Sequence, residues 1–536
     1  MYNDKEKTMY QYLKESFGDT SLERIIFYNT SINIAETLEA INGVCNYLYS
    51  EKVGAGESVG ICLPNIPQAI FSFYGVNKAG CVANVIHPLI STKSLVKILE
   101  QTNTKILFLM DRFYAEHREA LDEIDCKVIV CKASEYLSGA QKLIYQRLEP
   151  KGRASDIYFK DIIIDKQDRV ARRGAADGRS IYLHSGGTTG EPKTVVLSDY
   201  AINYLSHTLI KMTEKDGHRY IPTESILVVL PLFHGFGLTI CIHAALSLGR
   251  IVLMPSFNSH KACALMRKHK INYLAGVPNM FLKMMKERNF AGKHLKNIKQ
   301  VFCGGDKLDP EIKDRFDALL KKYGSRAEMI EGYGLTEVTT VCTMNLIGKT
   351  RRHSQGMPVD GVSIKIMNPD ESEAPTGAEG EIYVASPAVM LGYLNDENTS
   401  KEVMQKDGEG KVWIKTGDIG KLDEDGYLYF TDRKKRLIKI AGFNVFPAEI
   451  EKVVDKMPEI ARSCAVEGIY EGKPCVKLLI EMNKKFKYSP LIEQKIKLLI
   501  ENEIIKYAVP RIIEVVDYFK LTQIGKVDFK YYEQVR

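Results

Sequence analysis

The chain has 536 residues, 45% of them hydrophobic and 26% charged, with a formal net charge of +7. That is the balance of an ordinary soluble globular protein, and the length excludes a single small domain short of core, with about two to four subdomains expected. The net charge is too small for this length to draw anionic ligands unless it is concentrated locally.

The first residues, Met-Tyr-Asn-Asp-Lys-Glu-Lys, are charged and lack the apolar core of a secretory signal. Residues 34–110 alternate two periods. Ile34–Ser50, Gln68–Lys78 and Ser94–Gln101 place apolar residues at helical spacing, and Ser58–Leu63, Cys81–Val85 and Lys105–Met110 are short apolar runs. That rhythm predicts βαβ units and a mostly parallel sheet. Residues 148–179 carry many charges of both signs and are expected to form a solvated connection.

Residues 185–193 read Ser-Gly-Gly-Thr-Thr-Gly-Glu-Pro-Lys between apolar runs at 181–183 and 194–197. Three glycines allow backbone N–H groups close to a ligand, and hydroxyls and an ammonium are at hand. A strand–loop–strand hairpin gripping phosphates is one reading and a flexible turn is the other. It is not the common P-loop, because Glu191 and Pro192 separate Gly190 from Lys193.

The βαβ rhythm returns over 225–305, which suggests a second sheet subdomain. Leu238–Met254 is the longest apolar stretch, and His243, Arg250 and its length argue against a membrane span. Eleven cysteines occur without a CxxC pair, so neither a zinc site nor a disulfide framework is suggested, and a reducing cytoplasmic setting is expected. Cys303, beside Gly304-Gly305, reads first as a buried inert thiol.

Residues 331–337 read Glu-Gly-Tyr-Gly-Leu-Thr-Glu. A flat ring can lie along Gly-Tyr-Gly, with Thr336 and Glu337 toward phosphates and Glu337 suited to a hard divalent cation. A plain turn with a core tyrosine is the alternative. Residues 353–432 alternate short strands with Gly/Pro/Asp turns, as in a small β-barrel or distorted sheet. Within them Thr416-Gly417-Asp418 offers a carboxylate for vicinal hydroxyls, with Arg433 to support it, or else a simple β-turn. After residue 435 the pattern becomes α+β, with helices near 447–456 and 490–506. Near the end, Leu-Thr-Gln-Ile-Gly-Lys over 521–526 supplies a lysine able to swing on a loop, or an ordinary solvated one. The last four residues carry no peroxisomal address.

Taken together, the order and spacing of these motifs, with Asp432-Arg-Lys-Lys-Arg-Leu-Ile-Lys-Ile-Ala-Gly-Phe-Asn-Val-Phe-Pro447, Gly380-Glu-Ile-Tyr-Val and Val389-Met-Leu-Gly-Tyr-Leu394, resemble the adenylate-forming superfamily of acyl-CoA synthetases, peptide-synthetase adenylation domains and beetle luciferases, from about residue 25 to 530. The resemblance implies a large adenylating domain over 1–433 and a small mobile α+β domain over 434–536. It implies that Ser185, Gly186, Gly187, Thr188, Thr189, Gly190 and Lys193 wrap the phosphates of ATP. Gly305, Asp306, Lys307 and Glu331, Gly332, Tyr333, Gly334 match the segments against adenine. Thr336 matches the α-phosphate contact, Glu337 the Mg²⁺ ligand, and Asp418 and Arg433 the ribose pair. Lys435 matches the hinge, Lys526 the lysine that bridges carboxylate and α-phosphate, and Lys439 and Gly442 the coenzyme A tunnel.

Amino-acid-activating relatives carry an aspartate where this chain has His234, so an amino-acid substrate is not expected. His234 is expected beside the acid, or else as a packed core histidine. Gly235, Phe236, Gly237, Gly276 and Gly304 are expected around an acyl pocket, the glycines leaving room. No extra length lies between Glu337 and Thr416, where carrier-loading ligases carry an insertion, so CoA is the expected acceptor. The expectation is therefore an acid–CoA ligase acting through acyl-AMP on a medium- or long-chain fatty acid or an aryl acid. The alternatives are a ligase loading an acyl carrier protein and a degenerate nucleotide-binding paralogue. Departures from the pattern are Gly186 where Ser or Thr is common, Thr194 for a usual glycine, Ser256 where some relatives place a basic CoA contact, and no proline in the terminal lysine motif. Arg433-Lys434-Lys435-Arg436 is too short a run to suggest nucleic acid.

Overall fold

The computed structural model describes the chain apart from residues 1, 3, 170–175, 186–192, 216–218, 307, 347, 437, 441–442, 505, 522–526 and 535–536, and gives backbone alone at 185, 215, 435, 439, 443–444, 506, 530 and 534. The first βαβ block builds an eight-stranded sheet. Its order is Gly392–Tyr393, Lys193–Ser198, Arg179–Ser185, Val82–Val85, Ser58–Cys62, Ile106–Met110, Lys127–Cys131 and Ile157–Tyr158. From Arg179–Ser185 onward the neighbours are parallel. The central strands are short and buried along their whole length, as parallel strands covered on both faces should be. The helices start on local signals. Asn33 and Glu36 form a reciprocal capping box for Ile34–Ser50, and Pro67 occupies the first turn of Pro67–Lys78.

The second block gives a nine-stranded sheet whose six central strands, from Met329–Tyr333 through Gln300–Cys303, Tyr273–Gly276, Ser225–Val228 and Arg250–Leu253 to Glu23–Phe27, are parallel. Antiparallel strands Thr343–Met344, Met357–Pro358 and Thr30–Asn33 close its ends. Ser363–Met367, Gly380–Ala385, Val412–Leu422, Met404–Lys406 and Leu428–Arg433 form a five-stranded sheet. In the C-terminal part Lys473–Met482 lies between Ile460–Tyr470 and Ile512–Val516, and helices Pro447–Val454 and Pro490–Glu503 pack around a core that includes Ile450, Ile480 and Ile496. The chain divides into two compact units. One holds residues 1–187, 191–364 and 384–414, and the other holds 188–190, 365–383 and 415–536. No described helix is long and apolar enough to cross a membrane.

The connection expected over 148–179 is more than a solvated link. Ile157–Tyr158 joins the sheet edge, and Phe159 and Ile162 are buried. Asp168 accepts from the buried Lys78 ammonium at 2.5 Å and from Lys14 of the N-terminal helix Met9–Ser16 at 2.7 Å. Average polarity hid these anchors, because burying one ammonium requires a particular partner rather than an apolar segment.

Candidate active site

The hairpin expected around residue 185 is present. Arg179–Ser185 and Lys193–Ser198 run antiparallel with Ser185 opposite Lys193. Strand Gly392–Tyr393 joins the outer side of Lys193–Ser198. Its seat is fixed by backbone bonds from Leu391 N–H to the Val196 carbonyl at 2.8 Å and from Leu394 N–H to the Thr194 carbonyl at 2.9 Å. This places the Lys193 ammonium 4.9 Å from the centre of the Tyr393 ring. The Tyr393 hydroxyl donates to Glu337 Oε1 at 2.8 Å, and Met390 N–H donates to the Glu337 carbonyl, also at 2.8 Å. Five consecutive residues, 390–394, thus tie the lysine of the glycine-rich loop to the carboxylate. Burial, with the Glu337 charge beside it, pushes the Tyr393 phenol far above its usual range, so it stays a donor.

Glu337 Oε2 carries no hydrogen bond among the described residues. No group of three or more His, Cys, Asp or Glu side chains among them could hold a metal. One carboxylate with a spare oxygen fits Mg²⁺, which usually takes one or two carboxylates, substrate phosphates and water rather than a protein cage.

The turn after Glu337 is strained. Buried Thr339 has φ 72° and ψ −57°, and Thr340 N–H closes back on the Val338 carbonyl at 2.9 Å. A β-branched residue in this γ-turn is costly and needs its surroundings to hold it. The Thr339 hydroxyl supplies one restraint by donating to the Ala388 carbonyl at 2.7 Å. The turn also explains two glycines. A Cβ on Gly334 would lie 1.5 Å from the Thr340 carbonyl oxygen, and one on Gly235 would lie 1.9 Å from that of Thr339.

The small residues expected to leave room for an acyl chain are therefore close approaches. Over Gly235 and Gly237 the space is taken by backbone carbonyls, and over Gly276 by Met280 and Phe281 at 3.1–3.2 Å. Gly304 faces the Phe236 ring, 3.4 Å from its added Cβ. His234 is half-buried with its ring 4.8 Å from Phe233, which lies 4.3 Å from His87. Beyond Gly237 the chain forms a π-helix over Gly237–Ala244, and Ala245 N–H reaches the Ile240 carbonyl.

Gly305 has φ +78°, which favours glycine, and Asp306 is exposed. Gly332 and Tyr333 pair with Met344 and Thr343. Glu331 is buried, accepts from Gln355 Nε2 at 3.0 Å and borders a cavity of about 260 Å³ that also touches Lys313, Asp317, Glu328, Arg351 and Arg352.

A polar chain at the hairpin stem had no signal in the local sequence. His184 Nε2 lies 2.7 Å from Asn84 Oδ1, and His184 Nδ1 lies 3.1 Å from Thr194 Oγ1. Asn84 Nδ2 donates to Thr102 and Thr104 hydroxyls at 2.9 and 3.1 Å. With that amide oriented, Nε2–H of His184 donates to Asn84, and Nδ1 accepts from Thr194. Burial pushes the imidazole down to about 4, so it is neutral near pH 7. The threonine in place of a usual glycine thus has a partner. Thr194→Val is expected to lower unfolding stability by about 1–3 kcal/mol by stranding Nδ1, while Thr194→Ser stays near the original value; thermal unfolding checks both.

Strand Val412–Leu422 pairs with Leu428–Arg433 so that Asp418 stands opposite Arg433, both in the smaller unit. Arg433 Nε lies 3.2 Å from Asp418 Oδ1, with the carboxylate buried and the arginine half exposed. Thr416 donates to the Ile382 carbonyl at 2.7 Å and accepts from Asp418 N–H at 3.1 Å. Gly417, at φ +69°, makes this turn easy. The neighbouring Asp432 accepts from Ala448 N–H at 2.9 Å, and Arg436 pairs with the half-buried Glu451. Lys439 lies in strand Ile438–Ile440 opposite Asn444. Gly186, Gly187, Thr188, Thr189, Gly190, Lys307, Gly442 and Lys526 lie outside the described residues, as do the side chains of Ser185, Lys435 and Lys439.

The chain is a mixed α/β protein with two largely parallel sheets and a glycine-rich hairpin ending in a lysine, a carboxylate being held beside it. Residues 15–394 match the model of the AMP-binding enzyme family, and the chain belongs to that family. It is 27% identical to the long-chain-fatty-acid–CoA ligase of Bacillus subtilis, covering 94% of this chain and 90% of that one. It is 29% identical to 4-coumarate–CoA ligase 2 of Solanum tuberosum, over 86% and 82% of the two chains. ATP-bound MatB from Rhodopseudomonas palustris shares the fold with a TM-score of 0.85 at 22% identity, over 98% of each chain.

Proposed function

We propose that the protein is an ATP-dependent acid–CoA ligase that forms an acyl-AMP and then an acyl-CoA thioester. The observation that carries this reading is the Lys193–Tyr393–Glu337 cluster, which sets an ammonium and a carboxylate with a spare oxygen on one short segment at the neck of the hairpin. Relatives named as acid–CoA ligases along most of the chain support it.

In the first step a carboxylate oxygen of the acid attacks the α-phosphorus of ATP. The bond to the β-phosphate oxygen breaks and pyrophosphate leaves with its electron pair. Lys193 and the loop amides hold the β- and γ-phosphates. Thr336 contacts the α-phosphate, and Asp418 with Arg433 holds the ribose hydroxyls. Gly305, Asp306, Lys307 and 331–334 flank the adenine. Glu337 would hold Mg²⁺, which would supply positive charge against the phosphates. Lys526 bridges the incoming carboxylate and the α-phosphate, and so reduces the repulsion between two anions.

In the second step the CoA sulfur attacks the acyl carbon, the bond to AMP breaks, and the thiol proton leaves to AMP or solvent. We read residues 1–433 as the adenylating domain and 434–536 as a mobile domain turning about Lys435, with Lys439 and Gly442 lining the thiol path. The acid is a medium- or long-chain fatty acid or an aryl acid, with His234 beside it, and both classes occur among the names of relatives. A panel of such acids tests the reading through acid-stimulated pyrophosphate release. Repeating it with CoA or an acyl carrier protein shows by mass which thiol takes the acyl group. No release with any acid contradicts it.

A further inference from the structure

Helix Gly139–Leu148 has no buried residue. Its inner side is held by Tyr145, whose ring packs 6.4 Å from that of Tyr28. Just past its end, Glu149 is bonded to Ser134 and Lys132. The opposite side is apolar and open. Leu143, Ile144 and Leu148 are 61%, 55% and 76% exposed, and their spacing puts them on one face with Arg147 between them. An isolated exposed apolar side chain is unremarkable, but three on one helical face call for a partner.

The charge around that face points one way. Residues 139–153 contain Lys142, Arg147, Lys151 and Arg153 against the single acidic Glu149, which already has partners. Arg153 pairs with Asp122. Lys142, Arg147 and Lys151 are exposed and have no ion pair among the described residues. An apolar stripe rimmed by unpaired cations is the pattern of a helix lying in the headgroup layer of an anionic bilayer. A second copy of this chain would bring the same cations against these, which disfavours self-association through the face.

We propose that the helix Gly139–Leu148 docks the protein reversibly on anionic lipid surfaces, Leu143, Ile144 and Leu148 entering the acyl boundary and Lys142, Arg147 and Lys151 meeting the headgroups. Resting on the acid–CoA ligase reading, this selects the fatty-acid class of substrate, because a water-insoluble acid is concentrated in that same layer.

Sedimentation of the full chain with phosphatidylcholine vesicles, with and without phosphatidylglycerol, is the test. Binding is expected only to the anionic vesicles and is expected to weaken with salt. Ile144→Glu with Leu148→Glu, and separately Lys142→Glu with Arg147→Glu, are each expected to weaken it roughly tenfold or more with unchanged thermal unfolding. Failure of the wild-type chain to sediment, retention of binding by the apolar double variant, or concentration-dependent dimerisation lost in that variant would each overturn the proposal. Vesicle binding needs no turnover. Binding without activity on any acid therefore contradicts the proposed function while leaving the docking surface standing. Turnover of a vesicle-borne fatty acid that falls in the double variant, with a shorter water-soluble fatty acid unaffected, supports both.

Discussion

Lys526→Ala is expected to lower acid-dependent pyrophosphate release by about 10²–10³-fold, the usual cost of losing one preorganised charge donor at a reacting centre. Thioester formation from preformed acyl-AMP and CoA is expected to stay within a few-fold of the wild-type rate. The asymmetry follows from the chemistry of the two steps. In the first, a carboxylate approaches a triphosphate, and a positive charge between them lowers the barrier directly. In the second, a thiol attacks an acyl carbon already joined to a good leaving group, and no second anion has to be brought to phosphorus. Single-turnover assays of each half-reaction make the measurement. An equal fall in both would mean that one arrangement serves both steps.

Glu337→Gln is expected to give a comparably large loss, about 10²-fold or more in kcat/KM for ATP, with a raised Mg²⁺ requirement that separates it from the lysine variant. The amide keeps an oxygen able to accept from Tyr393, so the 2.8 Å hydrogen bond and the link through residues 390–394 can persist. What disappears is the negative charge that a hard divalent cation requires. Titrating Mg²⁺ at saturating ATP reads this out. A variant whose rate falls while its Mg²⁺ dependence is unchanged would remove Glu337 from metal binding and leave it a structural partner of Tyr393.

The parts of this account legible in the sequence are those whose physics is local. A hairpin around a glycine–hydroxyl loop follows from composition and flanking apolar runs, and it is observed with Ser185 opposite Lys193. The two parallel sheets follow from alternating periods, and Asp418 and Arg433, fifteen residues apart, meet because two strands joined by a short turn pair. What escaped depends on distant parts of the chain. Tyr393 sits in a quoted motif, but its role needs the edge pairing with Lys193–Ser198 and the carboxylate 56 residues earlier. Asn84 and His184 are 100 residues apart, and nothing in either neighbourhood announces the other. The strain at Thr339 has no compositional mark, since threonine is common and positive φ is a property of the backbone. Glycines at 235 and 237 look like open space in a sequence, yet they are contacts with carbonyls.

The central claim is that a carboxylic acid attacks the α-phosphorus of ATP. Turnover of an acid from the panel carrying ¹⁸O in both carboxyl oxygens, with mass analysis of the nucleotide, tests it most directly. One ¹⁸O in AMP, with unlabelled pyrophosphate, is the predicted result. Label in inorganic phosphate together with ADP would place the attack at the γ-phosphorus and contradict the account.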